Sequence, residues 1–198
     1  MGRIDHRRAA ALLFLAAAVS FGCAKTNEES DNALQDSAAL APQPAPAAAP
    51  TDAEIAHIAV TANAVDVDMG KFAQDKAQNA DVKSFAQTMI ADHSSVNEKA
   101  NALATKLNLT PEDNPTSQQL NADAQTAKQQ LESKSGADFD KAYIDHEITY
   151  HQQVLDALDK TLIPNAQNAE LKDLLNQVRP AVDAHLQRAR QIQQSIGK

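Results

Sequence analysis

Three histidines, His93, His151 and His185, stand where the surrounding pattern calls for an apolar residue. Imidazole is the side chain best suited to ligate a transition metal, or to carry a proton, near neutral pH. Two carboxylates fall near them in the pattern. Glu147 precedes His151 by four residues, about 40° around a helix from it, and Asp66 lies roughly 70° from the centre of its own apolar stripe. Imidazoles and carboxylates converging inside a helical bundle form a ligand set for iron, manganese or zinc. The same residues also have a plainer use, as neutral imidazoles hydrogen-bonded to Asp66, Asp92, Glu147 or Tyr143 that fix helix register. Proton transfer or pH sensing is a third use, because burial keeps an imidazole neutral and charging it would strain the core.

Other chemistries are excluded or unsupported. Cys23 is the only cysteine, which removes intrachain disulfides, cysteine zinc sites, CxxC redox pairs and Cys–His catalysis. No Gly-x-Ser-x-Gly, phosphate loop or dinucleotide fingerprint occurs, so no catalytic residue is assigned. Glu54 and His57 spell the Glu-x-x-His of diiron bundles, but at the start of a helix with His57 well off the stripe, and the spelling is read as coincidence. His146 faces away from the His151 side and is expected in solvent.

The elements that must position these residues are helices. The composition is poor in Gly and has no Trp, and the apolar residues recur at alternating steps of three and four. After an N-cap at Thr51-Asp52, Ile55, Ile58, Ala62, Val65, Met69 and Phe72 mark a first helix running to about Ala77. After Asn79, the stripe Val82, Ala86, Met89, His93, Val96, Ala100, Leu103 marks a second that ends before Pro111. Leu120 to Leu131 suggests a shorter crossover helix closed by Ser135-Gly136. Ile144, Ile148, His151, Leu155, Leu158 and Leu162 mark the next, stopping at Pro164. The last carries Leu171, Leu175, Val178, Val182, His185, Ala189 and Ile192, with Pro180 inside it expected to remove a hydrogen bond and bend it. Four long amphipathic helices and a crossover match a ferritin-like four-helix bundle.

Counting along these helices places His93 and His151 near mid-bundle. His185 falls about seven residues farther from the Pro164 turn than His151, roughly 10 Å along the axis. The expectation is therefore a mid-bundle pair of histidines with carboxylates, not one compact site using all three.

The N-terminal segment gives an address. Arg3, Arg7 and Arg8 precede an apolar run from Ala9 to Phe21, which reads as a secretory signal over residues 1–22. Its about 13 apolar residues would span roughly 20 Å as a helix, short of the roughly 30 Å hydrocarbon core. Ser20-Phe21-Gly22-Cys23 is similar to a lipobox, making Cys23 the lipidated residue. Residues 23–50, with Pro42, Pro44, Pro46 and Pro50 among alanines, form a disordered tether to a bundle domain at 51–198. The chain is then anchored to a membrane by lipid, with the outer membrane facing the periplasm as the expected address, and is secreted or periplasmic if Cys23 is not lipidated. The net charge is −8, and no stretch groups Lys or Arg with aromatics, so nucleic acid is not expected as a partner.

Several of these motifs occur together in a known family. Asp66-Val67-Asp68-Met69-Gly70-Lys71-Phe72-Ala73, Phe85-Ala86-Gln87-Thr88-Met89 with Asp92-His93, Phe139-Asp140 with Tyr143, Tyr150-His151 and Arg179-Pro180 with His185 resemble the bacterial family called domain of unknown function 4142. The resemblance implies an exported, often lipid-anchored, ferritin-like bundle without an assigned activity. The combined expectation is a tethered, non-catalytic envelope module that binds a partner or serves stress physiology. The alternative is a metal-binding bundle that uses the inward histidines and carboxylates for iron, manganese or zinc.

Overall fold

The computed structural model describes residues 48–196. The export segment, Cys23 and nearly all of the predicted tether lie outside the described residues. Within them the chain is all-helical: α1 (Asp52–Lys76), α2 (Ala80–Lys106), α3 (Pro115–Glu132), α4 (Gly136–Ala157) and α5 (Ala169–Ile196).

Local sequence explains where each helix begins. Thr51 and Glu54 form a reciprocal cap, Thr51 N–H donating to Glu54 Oε2 at 2.8 Å and Glu54 N–H to Thr51 Oγ1 at 3.3 Å. Asn79 Oδ1 accepts from the Asp81 and Val82 amides at the start of α2. Asn114 caps α3 with Pro115 in its first turn, so α3 begins five residues earlier than the Leu120 stripe predicts. Gly136, read from sequence as a helix stop, instead opens α4 at φ 58°, a left-handed conformation that suits glycine.

Pro164 does not end its helix. α4 widens into a π-helical turn at Leu158–Leu162 and closes with one more helical turn, Ile163–Asn165. A proline ring clashes with the carbonyl four residues back, and the wider turn immediately before Pro164 gives that carbonyl room. α5 remains continuous through Pro180.

Hydrogen bonds at the two ends set the directions. Asp140, near the start of α4, accepts the Gln78 and Asn79 amides of the α1–α2 turn at 3.0 and 2.8 Å. Asp52, at the start of α1, accepts the Gln167 and Asn168 amides of the α4–α5 turn at 2.8 and 2.9 Å. α1 and α2 thus form one antiparallel pair, and α4 and α5 the other. α3 carries the chain back along α1, and Lys76 Nζ donates to the Leu131 and Glu132 carbonyls at its end. α1 and α2 approach closely at Gly70, where a Cβ would come within 3.0 Å of the Ala86 carbonyl oxygen.

The core has two apolar sections. One is built around Phe85, Met89, Phe139 and Tyr143, the other around Ile55, Leu155, Leu162 and Leu186. The buried histidines sit near where the two meet.

Candidate metal centre

Every long helix contributes a chemically active residue to one buried cluster: Asp66 from α1, His93 from α2, Glu147 and His151 from α4, and His185 from α5. All five side chains are buried, Glu147 and His151 at 1 % exposure. The ring centroids form a triangle, 5.8 Å from His93 to His151, 5.2 Å from His93 to His185 and 5.6 Å from His151 to His185. One ligand atom from each of the three histidines lies within 4.8 Å of the others, and the same holds for Asp66, Glu147 and His151.

This overturns the expected axial offset of His185. The offset assumed a turn at Pro164, but the helical chain runs on to Asn165 and α5 starts at Ala169. His151 lies 16 residues before Gln167 and His185 18 after it, so the two stand at nearly the same level. The passage through Pro164 therefore brings the third histidine into the cluster.

Each imidazole is held by one nitrogen. His93 Nδ1 is 2.7 Å from Asn63 Oδ1, His151 Nδ1 is 2.9 Å from the Glu147 carbonyl oxygen, and His185 Nε2 is 2.9 Å from Asp92 Oδ2. The other nitrogens, His93 Nε2, His151 Nε2 and His185 Nδ1, are buried without a hydrogen-bond partner, as are both carboxyl oxygens of Glu147 and the Tyr143 hydroxyl. The nearest carboxylate to His93 Nε2 is Asp66 Oδ2, at 3.5 Å. Anchors on one nitrogen fix which nitrogen remains free to accept a metal.

The electrostatics favour the neutral forms of His93, His151, Glu147 and Asp66. Burial holds His93 down at about 3 and His151 at about 4. Burial pushes the Glu147 carboxyl up to about 8. It raises Asp66 well above the carboxylate range, with the neighbouring Glu147 adding to the effect. Two adjacent carboxyls in a low-dielectric interior cannot both ionise cheaply, and a dication among them would reverse that preference.

The remaining candidates separate from this centre. Glu54 is engaged in the α1 cap, and His57 lies 3.6 Å from Asp113 at the surface. His146 is half-buried and stacks on Tyr150 at 5.9 Å between ring centroids, with burial lowering its pKa, rather than standing in solvent. Asn63 was not among the residues singled out from sequence. It lies one turn before Asp66 and orients His93, and only the packing of α1 on α2 reveals it.

Among the described residues no helix is long and apolar enough to cross a membrane. No curated protein matches the chain. A solved structure of a DUF305 protein from Streptomyces coelicolor is similar with a TM-score of 0.63 at 10 % identity, over 74 % of this chain and 93 % of that one, a likeness of fold alone. The profile of the family described as Domain of unknown function (DUF4142) matches residues 37–192. Matched over most of its length, the chain belongs to the DUF4142 family.

Proposed function

We propose that this protein is an exported metal-binding bundle that holds a divalent first-row transition metal between His93, His151 and His185, with Glu147 and Asp66 as carboxylate ligands. The observation that carries this reading is that three imidazoles, each anchored through one nitrogen, leave the other buried and unpartnered in a single cluster. A cluster kept only to fix register would be expected to satisfy those atoms, because an unmade buried hydrogen bond costs about 1–3 kcal/mol. The all-nitrogen-and-oxygen donor set suits zinc, iron, manganese or copper and gives no thiolate preference. Separations of up to 4.8 Å exceed the roughly 3.3 Å between donors around a tetrahedral metal with bonds of about 2.0–2.1 Å. Binding therefore draws the rings inward.

Export and lipid anchoring at Cys23 belong to the same proposal, supported by the signal segment and lipobox-like residues. The Streptomyces coelicolor neighbour is also regarded as a secreted protein. The test is elemental analysis of the full chain after anaerobic loading with iron, manganese, zinc or copper, alongside His93→Ala and His151→Ala. One metal per chain, lost in both variants, is expected. Protein that remains metal-free under every loading condition overturns the reading.

A further inference from the structure

Below the cluster, between α1, α2, α4 and α5, lies an apolar cavity of about 50 Å³. Small side chains create it: Ala59 and Ala62 on α1 and Ala100 and Ala104 on α2 stop short of the opposing Leu158 and Leu175. Its outer side is lined by half-buried Val96, Leu103 and Leu174, where α2 meets α5 more sparsely than α1 meets α2. Its inner end reaches Asn63, Asp66 and His93.

The volume decides what fits. A single water needs about 10–15 Å³, and an apolar cavity of roughly 150 Å³ accepts benzene. A space of about 50 Å³ therefore takes two or three heavy atoms and rejects an aromatic ring, an acyl chain or a nucleotide. Water finds polar partners only at the inner end, at Asp66 and the free His93 Nε2, and the rest of the cavity offers none of the two to four that an ordered water needs. The Asn63 amide is spent, its Nδ2 donating to the Ala59 carbonyl at 2.7 Å and its Oδ1 pairing with His93 at 2.7 Å. Beyond that end the walls are hydrocarbon. Close-packed interiors carry few voids larger than a water, and this one abuts the reactive cluster.

We infer that the cavity is a binding site for a neutral, gas-sized apolar molecule, of the dioxygen or nitric oxide class, seated against the His93–Asp66 side of the cluster. Binding there does not require the metal. Only its consequence, that the seated molecule borders a metal centre, rests on the proposed function.

Xenon is the probe, applied under pressure to the metal-free full chain and followed by ¹²⁹Xe and amide NMR. The expected result is a saturable xenon shift with perturbed amides at Ala62 and Ala100. Ala100→Val, which adds two carbons to the cavity wall, should abolish it. Val178→Ala, which enlarges the space, should strengthen it, and it decides the matter if Ala100→Val does not fold. No saturable shift in the natural sequence, or equal uptake in the filled and enlarged variants, overturns the inference. Xenon uptake by a chain that takes up no metal upholds the cavity and sinks the proposed function. Metal uptake without xenon does the reverse.

Discussion

At the scale of single residues, the cluster sets up two opposing titrations. His93 and His151, held at about 3 and about 4 against an ordinary 6.5, gain protons on unfolding at pH values below about 6.5. Glu147, raised from 4.5 to about 8, and Asp66, raised well above 3.8, lose protons on unfolding once the pH exceeds their ordinary values. Between about pH 4.5 and 6.5 the two pairs offset each other. Above about 6.5 only the carboxyls count, the unfolded chain ionises more readily, and stability falls as pH rises towards about 8. Below about 3.8 only the histidines of the cluster count, and stability falls as pH falls towards about 3. Thermal melts of metal-free protein should therefore show a plateau between pH 4.5 and 6.5, with a decline on the alkaline side on the order of a few kcal/mol. Glu147→Gln, neutral at every pH, should reduce the alkaline decline to the part that Asp66 contributes, and a melting temperature that climbs steadily from pH 5 to pH 8 in the metal-free natural chain would contradict this account. Metal binding has the opposite pH dependence, because the ligands must be deprotonated, so affinity should rise through the same alkaline window.

At the scale of elements, the two helical hairpins are locked at opposite ends by a carboxylate from the other pair. Asp140 is buried and accepts amides of the α1–α2 turn at 3.0, 3.3 and 2.8 Å. Asp52 does the same for the α4–α5 turn from a half-buried position. The donating amides belong to exposed or half-buried residues at both ends, so the difference lies in the acceptor: Asp140 is shut off from water, whereas water can take the place of half-buried Asp52. Asp140→Ala should cost about 2–3 kcal/mol and Asp52→Ala about 1 kcal/mol in chemical denaturation, in that order. Equal losses would show that burial of the acceptor is not what matters. The helix stripes were legible because alternating three and four spacing is a direct image of one buried face. The π turn at Leu158–Leu162 was not, because a proline in sequence announces a clash and only packing decides whether the helix stops or widens around it.

At the scale of the whole molecule, the metal proposed to bind between four helices would bind the folded chain alone and so would stabilise all of it. At a free concentration 100 times the dissociation constant this contributes about 2.7 kcal/mol, and for a domain of this size about 2–4 °C in melting temperature per kcal/mol. A rise of roughly 5–10 °C on adding the bound metal, absent in His185→Ala, is expected by calorimetry. An unchanged midpoint with saturating metal would place binding elsewhere than the cluster. The address is a separate test: the full chain should partition with membranes and detergent, and Cys23→Ser should release it to the aqueous phase. The sequence by itself determined the all-α class, the four long helices, their crossover and the inward faces of His93, His151 and His185, since periodicity and caps are local properties. It did not determine that His185 stands level with His151, that Asn63 orients His93, or that alanines on α1 and α2 leave a cavity beside them. Those facts depend on where one helix lies against another. That alignment is fixed by turns such as the one after Asn165 and by close approaches such as Gly70 on Ala86, and no spacing within a single helix records it.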